Sequence, residues 1–244
     1  MSLLEISGLS KTFGGLQALR DVTISVDEGE ILGIIGANGA GKTTLFNCIT
    51  GAFPPSAGTV RLDGADITGA KMHTLAQHGL VRTFQLMRPF GTMTTLENVT
   101  IAVQSRGVHP ERKARDEAME MLVRTGLDGW ATQTSGSLPT AVQKRLELAR
   151  ALAMRPRVLL LDEVLAGLVP AERAPVLDLL AELRRNDGVT MVFIEHIMAA
   201  VRQLSDRVVM MDQGAVLAQG DVDDVLSNPR VISAYLGKEY GDAA

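Results

Sequence analysis

Cysteine is almost missing from this chain. Cys48 is the single one in 244 residues, which excludes an intramolecular disulfide framework. It falls in a helical stretch, where a small buried apolar residue is the ordinary role and a reactive thiol is not expected. Charge of one sign is not in excess either. With 24 basic and 28 acidic residues the net charge is -4, so there is no electrostatic footprint for wrapping nucleic acid, and none is expected as a partner. Long apolar runs are lacking: those near residues 158–161 and 189–194 fall well short of the roughly 20 residues that cross a bilayer. The first residues have no basic segment leading into an apolar one, so no secretory signal is read and a cytoplasmic protein is expected. No repeat period or low-complexity stretch is found. What is present is 46% hydrophobic residues, enough for a real core in one large domain or a core with a subdomain.

The stretch that organises the chain is GANGAGKTT, Gly36 to Thr44, preceded by Ile31-Leu32-Gly33-Ile34-Ile35 and followed by a helical segment to Ile49. A short unbroken apolar run reads as a buried parallel strand. In that context the pattern G-x-x-x-x-G-K-[ST] is a phosphate-binding loop rather than a mere linking turn. Small residues let successive backbone N–H groups converge on phosphate oxygens at a helix N-terminus, where the dipole also favours an anion. Lys42 is expected to reach the β- and γ-phosphates, and the Thr43 hydroxyl to take a place on Mg²⁺.

Upstream, Leu4 and Ile6, then Val22, Ile24 and Val26, alternate with polar residues as half-buried antiparallel strands do. Phe13 is read into the turn between them, where an aromatic serves either to stack on adenine or to pack on its own hairpin. After the first helix come a Pro54-Pro55 loop, a strand Thr59 to Leu62, the tight-turn pair Asp63-Gly64, a short helix His73 to Gly79 and a strand from Leu80. From Leu86 to Arg157 strand signals give way to helical periodicity, with helices at Glu111 to Thr125 and Thr140 to Met154. The α/β pattern then resumes. The run from Val158 to Leu161 leads into Asp162-Glu163, a helix spans Ala171 to Arg185, and the run Val189 to Ile194 leads into Glu195-His196. Strands Arg207 to Met211 and Ala215 to Ala218 and helices Asp221 to Leu226 and Pro229 to Leu236 complete the pattern.

A carboxylate at the C-terminal end of a parallel strand stands where α/β sheets bind ligands. Asp162 is placed to hold Mg²⁺ by way of water, and Glu163 to polarise the water that attacks a γ-phosphate. His196, also just past a strand, fits a residue that touches the γ-phosphate. Gln85 fits a residue that couples the metal or the attacking water to the helical insertion.

Together these residues resemble the ATP-binding subunits of ABC transporters, over nearly the whole chain. The resemblance rests on the Walker A loop Gly36 to Thr43, the Q-loop at Gln85, the Walker B run Val158 to Asp162 with Glu163, and the switch His196. Finer features are similar to the ATPase subunits of high-affinity branched-chain amino acid uptake systems. They are Phe13-Gly14-Gly15-Leu16, the run from Val81 to Gln85, Ala166-Gly167-Leu168 after the paired acids, Ile194-Glu195-His196, and Ala234-Tyr235-Leu236-Gly237. The lipopolysaccharide-export ATPase shares some of them and is the nearest rival.

The resemblance implies an α/β P-loop NTPase with a RecA-like core, an N-terminal antiparallel β part and an inserted helical subdomain. Residues 1–84 and 158–236 would form the nucleotide-binding core, 85–157 the helical subdomain, and 237–244 a tail. It implies ATP and Mg²⁺ as cofactors, with Lys42, Gln85, Glu163 and His196 catalytic. The nucleotide would lie on Phe13, Gly36, Ala37, Asn38, Gly39, Ala40, Gly41, Lys42, Thr43 and Thr44, with Phe13 against adenine, and the metal on Thr43, Gln85 and Asp162. The implied partners are a second ATP-binding subunit, either a different chain with an intact signature or a second copy of this one, transmembrane permease subunits met through Arg88-Pro89-Phe90, and indirectly a substrate-binding protein. The implied place is the inner face of the cell membrane.

Departures from the family pattern are as informative. The signature L-S-G-G-Q falls on Leu138, Pro139, Thr140, Ala141 and Val142, and only the leucine is kept. Pro139 removes a hydroxyl and an N–H, and Ala141 adds a methyl group where close approach is wanted. Ser135-Gly136-Ser137 could substitute only with a local shift of the chain. Val164 replaces a proline, and Val169 replaces an asparagine common in the D-loop. A degenerate signature leaves open a regulatory module with weak hydrolysis, against which the retained Lys42, Asp162, Glu163 and His196 speak. A non-transport ATPase acting on DNA or ribosomes would call for tandem cores or a basic surface, and neither is present.

Overall fold

The computed structural model describes residues 2–83, 89–107 and 110–236. Strands β1 (Ser2–Phe13) and β2 (Leu16–Asp27) form a long hairpin, and β3 (Ile31–Ile35) runs into helix α1 (Lys42–Ile49). Next come β4 (Ala57–Leu62), β5 (Ala65–Asp66), α2 (Met72–Gln77) and β6 (Leu80–Arg82). Helices α3 (Thr95–Gln104), α4 (Glu111–Arg124) and α5 (Thr140–Ala153) follow without an intervening strand. The chain then returns to alternation with β7 (Val158–Asp162), α6 (Pro170–Asp187), β8 (Thr190–Ile194), α7 (Met198–Leu204), β9 (Arg207–Asp212), β10 (Ala215–Gly220), α8 (Val222–Ser227) and α9 (Pro229–Leu236).

Two sheets result. One is antiparallel, in the order β2-β1-β4-β5; the other is six-stranded, β10-β9-β3-β8-β7-β6, parallel except for the edge strand β10. The apolar runs are unbroken because the larger sheet is covered on both faces. Leu159, Leu161, Met191 and Phe193 point toward α5, α6 and α7, while Val158, Leu160, Val192 and Ile194 point toward the smaller sheet and α1. A third core, among α3, α4 and α5, gathers Val99, Ala118, Leu122 and Leu146. Helix α5 belongs to both: Leu148 and Leu152 face the sheet, and Val142, Leu146 and Ala149 face the helical unit.

Three local readings are corrected. Phe13 is the last residue of β1, paired with Leu16 across the Gly14-Gly15 turn, rather than a turn residue. Helix α3 was not anticipated, although Thr94 and Glu97 form a reciprocal capping box at its start, a pattern that announces helix N-termini. Helix α7 was also missed. Its seven residues end at Leu204, too short for a period to stand out. The Asp63-Gly64 pair turns as expected, both residues having positive φ, 52° and 74°.

Candidate functional site

Register puts the site together. Ile34 of β3 lies beside Ile194 of β8, and Ile194 beside Asp162 of β7. The phosphate loop, Glu195-His196 and Asp162-Glu163 therefore emerge side by side from the C-terminal edge of the parallel sheet, with Thr83 after β6 next in line. Gln85, expected at the same edge, lies outside the described residues, as do Arg88 and the tail from 237.

The phosphate loop has the shape that its sequence demands. A Cβ on Gly36 would stand 2.3 Å from the Met211 carbonyl oxygen, and one on Gly41 2.8 Å from that of Ala18. Both glycines have positive φ, 149° and 101°, so only glycine suits either place. Ala37, Asn38, Gly39 and Thr43 are exposed, Gly41 and Thr44 half-buried, and Ala40 and Lys42 form the floor. The Lys42 ammonium donates to the carbonyls of Gly36, 2.6 Å, and Ala37, 3.0 Å, folding back over its own loop. Burial lowers its pKa, and the carboxylates of Glu163 and Asp162 pull it back up. A buried cation facing two acids across a glycine cradle is a fit for a polyphosphate.

Asp162 is almost wholly buried, and its Oδ2 accepts from Arg82 Nη2 at 2.6 Å. Arg82 also donates to Asn47 Oδ1 at 2.6 Å and lies 5.4 Å from the Phe46 ring centroid. It thereby ties the Asp162 carboxylate to α1, the helix that follows the glycine loop. Sequence reasoning gave Arg82 no role; the signal was a charge inside a buried strand, since such charges are nearly always paired. Among the described residues no three His, Cys, Asp or Glu could hold a metal by themselves. Mg²⁺ keeps several waters and takes one or two carboxylates plus phosphate oxygens, so the Asp162 carboxylate and the Thr43 hydroxyl are a donor set that fits it.

Glu163 has φ 50°, a left-handed conformation costing on the order of 1 kcal/mol. Burial of Val158 to Leu161, at about 1.5–3 kcal/mol per side chain, anchors the strand and outweighs that cost. The Glu163 N–H donates to Ile194 O at 3.0 Å, which holds the residue to the end of β8. His196 is more than half exposed, its Nδ1 3.9 Å from Glu195 Oε2. Glu195 is fully buried and accepts from the N–H of Leu165 at 2.9 Å and of His196 at 3.3 Å. Burial raises its pKa, and the two backbone donors and His196 oppose the rise.

Phe13 is partly exposed, with Phe53 edge-on at 5.5 Å and Lys11 Nζ 5.0 Å from its centroid.

At the other end of the helical unit, Leu138 and Val142 are buried, while Pro139 and Thr140 are exposed and no side chain caps α5. Ser135 does not stand in for the missing serine: its hydroxyl is buried, donating to Phe90 O and accepting from Asn98 Nδ2.

Residues 19–166 match the family model described as ABC transporter. The chain belongs to the ABC transporter ATPase family. Residues 215–241 match a further model, Branched-chain amino acid ATP-binding cassette transporter. The chain is 43% identical to the high-affinity branched-chain amino acid transport ATP-binding protein BraF of Pseudomonas aeruginosa, over 97% of this chain and 98% of that one. It is 39% identical to LivG of Escherichia coli, of the same description, with the same coverage. Among solved structures, a nucleotide-free ATP-binding cassette from an ABC transporter superposes with TM-score 0.88 at 32% identity, over 97% of this chain and all of that one. A dimeric cassette in a post-hydrolysis state with ADP and phosphate superposes with TM-score 0.82 at 26% identity, over 90% and 98%. This family member is an ATPase subunit that binds nucleotide, and the uptake branch is favoured over the lipopolysaccharide-export branch. No helix among the described residues is long and apolar enough to cross a membrane.

Proposed function

We propose that this chain hydrolyses ATP through Lys42, Asp162, Glu163 and His196 to drive import of branched-chain or related amino acids through membrane subunits. The observation that carries the reading is the convergence of the glycine cradle, Lys42, Asp162 and Glu163 on one sheet edge. Backbone N–H groups of Gly36 to Thr44 take the phosphates, with Phe13 under the adenine. Lys42 exchanges its two carbonyl partners for β- and γ-phosphate oxygens. Thr43 Oγ1, Gln85 and Asp162 would hold Mg²⁺, which would supply positive charge against that developing on the transferred phosphoryl group. Glu163 orients a water in line with the γ-phosphorus and takes its proton as the new P–O bond forms and the bond to ADP breaks. His196 contacts the γ-phosphate and reports its loss.

Catalysis is read as asymmetric. In a head-to-tail dimer each nucleotide lies between one subunit's Walker A loop and the other's signature. This chain offers a complete Walker half and, in Pro139, Thr140 and Ala141, a poor signature half. The partner that suits it is a different ATPase with an intact signature. Half-exposed Phe90, held by Asn98 and stacked 5.1 Å from the Arg150 guanidinium, stands in the segment read as meeting the permease. That contact would keep the subunit at the inner face of the membrane, with a substrate-binding protein acting through the permease. Calorimetry of MgATP binding tests the site: Lys42→Ala should lose roughly 1.5–3 kcal/mol, more than tenfold in affinity, and unchanged affinity would overturn the assignment.

A further inference from the structure

The turn that aims Glu163 is gripped from both sides by charged groups that the chemistry above does not use. On its carbonyl side stands Lys144, on α5, whose Nζ donates to Glu163 O at 3.4 Å and to Ala166 O. On its amide side stands Glu195, whose Oε1 takes the Leu165 N–H at 2.9 Å. Ala166 N closes the turn onto Glu163 O at 3.1 Å. Lys144 reaches this place from the second turn of the helix that begins at the degenerate signature, across the border between the helical unit and the sheet. Glu195 reaches it from the end of β8, beside the strand that carries Glu163.

A left-handed non-glycine residue persists only where its surroundings over-determine it. Glu163 is such a residue, and Val164 follows it where a proline would have stiffened the turn. The grip is electrostatic as well as geometric. Burial lowers the pKa of Lys144, and the carboxylates of Glu195 and Glu163 oppose the fall.

We propose that Lys144 is a positioning residue for ATP hydrolysis: seated against the carbonyls of Glu163 and Ala166 and facing buried Glu195, it ties the placement of helix α5 to the aim of the Glu163 carboxylate. A shift of α5 when a partner engages its N-terminus moves Lys144, and with it the turn. Hydrolysis thus answers to the signature helix of the same chain, even though that helix presents few phosphate donors of its own.

This rests on Glu163 being the catalytic carboxylate, so Glu163→Gln is the first arm of the test. In the assembled ATPase, Glu163→Gln should abolish turnover with MgATP affinity retained. Turnover that survives it overturns the catalytic reading itself. Lys144→Met should lower kcat about tenfold while KM and nucleotide affinity stay within twofold, and Lys144→Arg should restore most of the loss. In the nucleotide-free full chain, hydrogen exchange at the amides of Leu165 and Ala166 should quicken in Lys144→Met and return toward the parent rate in Lys144→Arg. An unchanged kcat, or a parallel fall of affinity and kcat that arginine does not rescue, overturns the role of Lys144 alone. Should Lys144→Met not fold, Lys144→Gln carries the same comparison.

Discussion

The two half-sites on this one chain are held together by different physics. At the sheet edge, buried charges are paired and meshed with backbone: Arg82 on Asp162, Glu195 on the Leu165 amide, Lys144 on the Glu163 carbonyl. At the start of α5, what remains is packing: Leu138 and Val142 are buried and their neighbours Pro139 and Thr140 face solvent without a capping side chain. Buried charges are costly unless paired, so the sheet-edge side is held by specific polar contacts that a small displacement would break. Apolar packing alone keeps a helix in place and says nothing about phosphate.

That contrast can be broken at several points. The largest effect is expected from Arg82→Met, which strands a buried carboxylate and should cost about 3–5 kcal/mol in urea unfolding. A loss under 1 kcal/mol would mean that the pair at the sheet edge does not hold it. Next comes repair of the weak side. Restoring a donor and close approach with Pro139→Ser and Ala141→Gly together should raise turnover at the site facing the partner about tenfold, on the order of one charged hydrogen bond. Thermal stability should fall by no more than about 1 kcal/mol, the cost of a glycine in place of half-buried Ala141 in the first turn of α5. If turnover is unmoved, the signature residues are not what limits that site.

Smaller effects sharpen the picture. Burial raises the Glu195 carboxyl above its ordinary value of 4.5, so the folded chain holds this proton more tightly than the unfolded chain. Its contribution to stability is complete below pH 4.5 and fades as pH rises through the folded value. Comparing the parent with Glu195→Gln between pH 4 and 8, the parent should lose stability relative to the variant as pH rises. Parallel curves would show that Glu195 is comfortable as an anion, despite Glu163 nearby and with His196 and Lys144 opposite. Smallest of all, Phe13→Ala should weaken ATP binding by about 0.5–1.5 kcal/mol, with GTP affected less than ATP if the ring lies under adenine.

Most of the sheet-edge site was legible in the sequence, and there is a reason. Unbroken apolar runs that end in Gly36, Asp162-Glu163 and Glu195-His196 fix both strand type and the end at which ligands gather, because a strand covered on both faces cannot alternate. What escaped was of two kinds. Arg82, Lys144 and Glu195 act by contacts between residues 19 to 80 positions apart, and no local pattern encodes such a partner. Helix α3 is written locally, in the capping pair Thr94 and Glu97, but its ten residues give too short an apolar face for a helical period to stand out. Phe13 was misplaced by one step, since a two-residue turn leaves its flanking residues in the strands.

The central claim is that one chain contributes a strong half and a weak half to two different ATP sites. The direct measurement is the ATPase rate of the reconstituted complex with Glu163→Gln here, set beside the rate with the matching glutamate changed in the partner ATPase. The loss from Glu163→Gln should be about 10²–10³-fold, and that from the partner's change several-fold at most. Equal losses from the two would contradict it.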